Sequence, residues 1–199
     1  MIASGGPESA AGASSPGRAA LASETRARVA DRLRADTAGS LPPRMATIAC
    51  GFDHAGFPLK AAILEALRAA GHDPLDLGTD SIEPIDYPDK ALAVAGAVVA
   101  GDADRGVIVC GSGAGVSVAA TKVPGIRAAT VHDTYTAHQG VEHDDLNVLC
   151  LGARVVGSAL AAEIVLAYAA AAFSGEDRHR RRLGKIDAIE RDGLAASFD

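Results

Sequence analysis

From Thr47 onward, short runs rich in Val, Ile, Leu and Ala alternate with longer amphipathic runs, and each change of period falls at Gly, Pro or Asp. The strand-like runs cover residues 47–51, 73–77, 106–110, 126–131 and 147–152. Helical patterns lie between them. In the first, Pro58 suits an opening turn, Leu59, Ile63 and Leu67 recur every four residues, and Gly71 marks the end. Further helices are expected over 88–100, from the glycine-rich segment after Cys110 to about 122, near 134–140, over 158–172 and over about 178–191. Repeated strand–helix alternation predicts a three-layer α/β/α sandwich around a five-stranded parallel sheet, of the Rossmann-like or flavodoxin-like type. Ligands of such sheets bind beyond the carboxyl ends of the strands.

The first 44 residues break the pattern. Twenty-six of them are Ala, Gly, Ser or Pro and none is aromatic, which is too little large apolar surface to offset the entropy of ordering the chain. A disordered head over 1–44 is therefore expected, with room for one short helix over 24–36, followed by a single domain over 45–199. Met45 stands directly before the first strand, where an alternative translation start would fall.

Composition narrows the class. The chain has 199 residues, no Trp and 4% aromatics, so the core must be built from small aliphatic side chains, as suits buried parallel strands. A net charge of −6 argues against nucleic acid as a partner, because no general phosphate-attracting surface is available. No apolar stretch is long enough for a membrane span. Three cysteines, Cys50, Cys110 and Cys150, each close to the end of an apolar run, suit a reducing, cytoplasmic setting better than a disulfide framework.

The strand-end rule yields a short roster: Asp53 and His54 after the first strand, the glycine loop after the third, His132 and Asp133 after the fourth, and Arg154 after the fifth. The loop is the most informative. Cys110-Gly111-Ser112-Gly113-Ala114-Gly115 runs from a strand into a helix, and its glycines let backbone N–H groups turn toward an anionic oxygen. A cysteine there either acts as a proton-transferring thiolate or is an inert core residue, and Ser112 either meets substrate or caps the helix. A dinucleotide fingerprint fits worse, since Gly111 and Gly113 supply two glycines but Val116 stands where the third belongs. Glu142-His143-Asp144-Asp145 reads as an acid/base histidine or as a solvated turn, and lacks the companion ligands of a metal site. Arg178 and Arg182 fall on one helix face, where they would grip one phosphate or simply face solvent.

Taken together, these segments resemble the family of type B ribose-5-phosphate isomerases and galactose-6-phosphate isomerase subunits, from about Thr47 to Arg191. The resemblance rests on Gly51-Phe52-Asp53-His54-Ala55-Gly56-Phe57 with Lys60, on Asp86-Tyr87-Pro88, on the Cys110 loop, on Gly125-Ile126-Arg127-Ala128, on His143-Asp144-Asp145-Leu146-Asn147-Val148-Leu149, and on Arg178-His179 with Arg182. It implies a cofactor-free and metal-free aldose–ketose isomerase that moves a proton between C1 and C2 of an open-chain sugar phosphate through an enediolate.

Under that resemblance Cys110 is the proton-abstracting base. Members without this cysteine use a Glu further along the loop, and Val116 offers no carboxylate. Ser112 and the amides of Gly111, Gly113, Ala114 and Gly115 would stabilise the oxyanion. Asp53 would help move protons between the two oxygens, and His143 would open the ring. His54, Arg154, Arg178 and Arg182 would hold the phosphate. The family's crevice lies between two subunits, which implies a homodimer or a dimer of dimers, with His143 and both arginines supplied by the neighbour. Asp144 stands where the family commonly has Asn, an acceptor in place of a donor and acceptor, which bears on sugar preference.

Overall fold

The computed structural model describes residues 45–198, so the expected head and its short helix lie outside the described residues. Five strands form one sheet: β1 (Thr47–Phe52), β2 (Asp73–Asp76), β3 (Arg105–Cys110), β4 (Ala128–Thr130) and β5 (Val148–Gly152). Their order is β2-β1-β3-β5-β4 and every pair is parallel. Six helices follow in sequence: α1 (Lys60–Ala69), α2 (Tyr87–Ala100), α3 (Ala114–Ala120), α4 (Thr134–Asp144), α5 (Ser158–Ala170) and α6 (Asp177–Asp192).

The period-two alternation of side chains divides the core between the two faces of the sheet. Ile48, Cys50, Phe52, Val107, Val109, Leu149 and Leu151 face one way, onto Ile63 and Leu67 of α1, Val141 of α4 and Ile164 and Tyr168 of α5. Ala49, Ile108, Cys110, Val148 and Cys150 face the other way, onto Val94 of α2 and Val116 of α3. Both faces are covered, which is why the strands read as continuous apolar runs. The chain moves to one side of β1 for β2 and to the other for β3, so the crevice of such a sheet opens beyond the ends of β1 and β3. Asp53 and the Cys110 loop lie there.

Three of the expected boundaries that moved did so for a physical reason. Pro58 belongs to a separate 3₁₀ turn, Phe57–Leu59, and α1 starts at Lys60. β4 is only three residues long, because Arg127 is drawn into side-chain bonds at the strand's entrance. The helix expected to stop near residue 140 runs on to Asp144, so His143 and Asp144 are helical and not part of a turn. Gly140 does not end α4 but lies within it, with Leu146 packed over the space a side chain would take there. The helix ends at Asp145, which adopts a left-handed φ of 49°. Arg127 holds that turn: its Nε donates to the Asp145 carbonyl at 2.7 Å, and its guanidinium pairs with the Asp145 carboxylate. Asn147 completes the lock, accepting from the Arg127 N–H at 2.8 Å and donating to the Gly125 carbonyl at 2.8 Å.

Two glycines separate tight packing from mere chain freedom. A side chain at Gly56 would begin 2.1 Å from the Val109 carbonyl oxygen, whereas one at Gly184, inside α6, would meet nothing within 4 Å. Gly56→Ala is therefore expected to lower stability by about 1–3 kcal/mol or more, and Gly184→Ala to raise it by about 0.5–1 kcal/mol. Urea unfolding of the two variants checks both signs.

Candidate active site

At the end of β3 the Cys110 side chain points to the α2/α3 side of the sheet and is 4% exposed. Its sulfur is not wholly among hydrocarbon: the Gly113 N–H donates to Sγ at 3.1 Å. Of the three thiols, Cys110 is the one bonded by a loop amide at a strand end. Burial pushes Cys50 and Cys150 up to about 12, so both stay protonated and inert.

The loop after Cys110 folds tightly over β5. Gly113 has φ +81°, and a side chain on it would begin 2.8 Å from Thr130 Cγ2 and 3.0 Å from the Leu151 carbonyl carbon. Gly113 is also the residue that caps α3; Ser112 does not cap it, but its hydroxyl accepts from the Ala114 N–H at 3.4 Å. Two of the amides expected to face substrate, those of Gly113 and Ala114, are thus directed at Cys110 and Ser112. Gly115 lies beneath the Tyr87 ring, 2.8 Å from where its side chain would begin. The continuation of β5 ties the loop down, since Ala153 N–H donates to the Cys110 carbonyl at 2.9 Å and Arg154 N–H to that of Gly111 at 3.0 Å. This backbone bond carries the Arg154 guanidinium beside Gly111, about 3.6 Å from the missing Cβ.

Across the crevice, Asp53 is 4% exposed and one carboxylate oxygen accepts from the Gly56 N–H at 2.7 Å, closing the turn after β1. His54 Nδ1 accepts from the Ile85 N–H at 3.2 Å, so the neutral ring carries its proton on Nε2 and presents a donor. Lys60 bonds to Asp76 at 2.8 Å, to Asp80 at 2.6 Å and to the Thr79 carbonyl at 3.0 Å, which fastens the segment after β2 and explains its place among the motifs. Asp133, the acid a dinucleotide site would need for ribose, instead caps α4 by accepting from the Thr136 N–H at 2.7 Å. That bond holds its carboxyl below the usual carboxylate range.

The remaining expected residues form a second group on α4 and α6. His143 Nδ1 accepts from the Gln139 amide at 2.9 Å, and the His143 ring lies 4.1 Å from that of His179. His179 is only 1% exposed and its Nδ1 is 2.7 Å from the Ser174 hydroxyl. Burial, His143 and Arg178 hold the His179 imidazole below its ordinary value, and Arg182 adds to this. Arg178 pairs with Glu176 at 2.9 Å. Asp144 lines a cavity of about 520 Å³ with Ile126, Arg127, Leu146, Ile186 and Ile189. Among the described residues no hydrogen bond or ion pair joins this group to the Cys110 loop, and no group of three His, Cys, Asp or Glu is arranged to hold a metal.

Sequence reasoning gave no role to Tyr87, Gln139, Ser174 or His179. Tyr87 and His179 lie inside the motifs that carry the resemblance, but their contacts with Gly115 and His143 arise only on folding. Gln139 and Ser174 carried no local signal at all.

An α/β sheet with a thiol, a glycine loop and basic groups beyond its strand ends is the architecture of a sugar-phosphate isomerase, and comparison with known proteins agrees. The model of the family described as "Ribose/Galactose Isomerase" matches residues 48–186, and the chain belongs to that family. Ribose-5-phosphate isomerase B of Escherichia coli is 46% identical over 146 residues, covering 73% of this chain and 97% of that protein. D-erythrulose-4-phosphate isomerase 2 of Mycolicibacterium smegmatis is 38% identical over 146 residues, covering 72% and 96%. Among solved structures, the type B ribose 5-phosphate isomerase of Trypanosoma brucei superposes with a TM-score of 0.71 at 48% identity, covering 73% of this chain and 99% of that one.

Buried His179 makes a pH-dependent contribution to stability. His179 has a folded pKa below its unfolded value, so the stability it contributes is present above about pH 6.5 and is lost as pH falls through the lower folded value. Urea unfolding at about pH 7.5 and about pH 5 is expected to show a smaller loss in His179→Gln than in the wild type.

Proposed function

We propose that this member of the family interconverts ribose 5-phosphate and ribulose 5-phosphate, with Cys110 as the base. The Cys110 thiolate takes the proton from C2 of the open-chain aldose, the electron pair forms the C1–C2 double bond, and the carbonyl oxygen becomes the enediolate oxygen. The thiol returns the proton at C1. Ser112 and the two loop amides not directed at Cys110 or Ser112, those of Gly111 and Gly115, carry the developing charge, an effect worth about 3–4 kcal/mol for a well-placed donor. The Asp53 oxygen not bound to Gly56 exchanges protons with the sugar oxygens. His143 opens the ring, its Nε2 carrying the proton because Gln139 engages Nδ1. His54, Arg154, Arg178 and Arg182 hold the phosphate.

The observation that carries this reading is the Gly113 N–H on the Cys110 sulfur at 3.1 Å: it puts the loop dipole and the thiol in one place, where a carbon acid meets both. The relatives' names support the substrate. The separation of the His143/Arg182 group from the Cys110 loop supports an active site completed by a second copy of the chain, hence a homodimer or a larger assembly of dimers. Three free, buried cysteines support a cytoplasmic setting.

Cys110→Ala is expected to lower kcat for ribose 5-phosphate by at least about 10²–10⁴-fold with the fold retained. Iodoacetamide inactivation of the wild type should slow in the presence of that sugar phosphate. Substantial residual turnover in the variant removes Cys110 as base, and a panel including D-erythrulose 4-phosphate fixes the preferred sugar. The shared site has its own check. Cys110→Ala and the double variant Arg178→Ala/Arg182→Ala, each impaired alone, should on unfolding and remixing regain about a quarter of wild-type activity, because half the dimers then hold one intact site. No recovery assigns both groups to a single chain.

A further inference from the structure

The N–H of Gly152, last residue of β5, points to the side of the strand where β4 should lie. β4 has already ended at Thr130, and after the Val131 N–H bonds to the Cys150 carbonyl at 3.0 Å no strand hydrogen bond follows on that edge. The Gly152 N–H is taken up instead by a side chain, donating to His132 Nε2 at 3.0 Å. A ring nitrogen that accepts must be unprotonated, so the neutral imidazole carries its proton on Nδ1.

Gly152 is the residue on which the glycine loop rests. Its missing Cβ would lie 2.7 Å from the Ser112 carbonyl carbon and 2.8 Å from Ser112 Cα and O, and its nitrogen lies 3.3 Å from the space a Gly113 side chain would take. The next two residues bond to the Cys110 and Gly111 carbonyls. Displacement of Gly152 therefore moves Ser112, the Gly113 amide on the sulfur, and Cys110 together.

We propose that His132 is a positioning residue for isomerisation, its Nε2 replacing the missing strand bond to Gly152 and so fixing the height of the Cys110–Ser112 loop over the sheet. This inference rests on the isomerase reading given above. It predicts which change matters: loss of the acceptor, not loss of the ring.

The experiment compares three variants of the full chain. His132→Leu keeps bulk and removes the acceptor, His132→Gln places an amide oxygen where Nε2 stands, and His132→Asn is too short to reach. The wild type is expected to show a through-hydrogen-bond nitrogen–nitrogen coupling between Gly152 and His132, with the Ser112 and Gly113 amide resonances displaced in the Leu and Asn variants and restored in Gln. For ribose 5-phosphate, kcat should fall about ten- to hundredfold in Leu and Asn, as for misplacement by a fraction of an ångström to an ångström, with KM moving less, and return to within about threefold in Gln. A purely structural role would lower the melting temperature while leaving kcat intact below it. The proposal is overturned by a Leu variant with kcat within about twofold of wild type, by Gln behaving like Leu, or by unmoved Ser112 and Gly113 amides. Should the wild type turn over no sugar phosphate, the isomerase reading falls, and the coupling and the amide shifts still decide whether His132 sets the loop.

Discussion

Backbone lying on backbone, with no room for a methyl group, is the constraint on which the active-site geometry depends. Gly152 and Gly113 let the end of β5 and the loop after β3 approach so closely that a side chain on Gly152 would begin 2.7 Å from the Ser112 carbonyl carbon and one on Gly113 3.0 Å from that of Leu151. Such contact excludes variation at both positions, and it converts the stiffness of a buried parallel sheet into the stiffness of a loop. The thiol of Cys110 inherits its placement from the sheet, and Ser112 inherits its own from the strand beneath it.

Much of this was legible in the sequence, because the chemistry sits where the hydrophobic pattern changes period. The ends of β1, β3 and β5 could be placed to within a residue or so, and with them Asp53, His54, Cys110 and Arg154. The glycine loop was equally visible, since spaced glycines between a strand and a helix serve few purposes. The second group was less legible. Gly140 reads as a helix stop, but α4 continues past it to carry His143, with Leu146 packed over Gly140 and the Arg127 clamp on Asp145 at the helix end. The His143–His179 contact and the Ser174 hydroxyl behind it depend on α4 and α6 meeting, which no local periodicity encodes.

Several motif residues turn out to build the scaffold around the chemistry. Lys60 fastens the segment after β2, Arg127 and Asn147 shape the turn that ends α4, and Asp133 caps that helix. A residue singled out by pattern alone is thus as often a brace as a reagent, and only its partners tell the two apart. Asp144 stands where the resemblance leads one to expect Asn. It faces a cavity lined by α6 and the segment around Ile126, so a carboxylate there changes the polarity of a wall, whereas Asn would change its donors.

The last helix buries a single residue, His179, near its start, and is pinned near its end where Glu190 accepts from the Gly125 N–H at 2.9 Å. Fixed at these two points and largely exposed between them, α6 works as a ruler. Arg178 and Arg182 sit one turn apart on it, about 6 Å along the axis, and the residues facing water between the two pins are free to drift. What cannot drift is the spacing of the two arginines: one residue inserted between them would swing the later one by about 100° around the axis and turn the pair to different faces. This segment therefore tolerates a change of residue type more readily than a change of length.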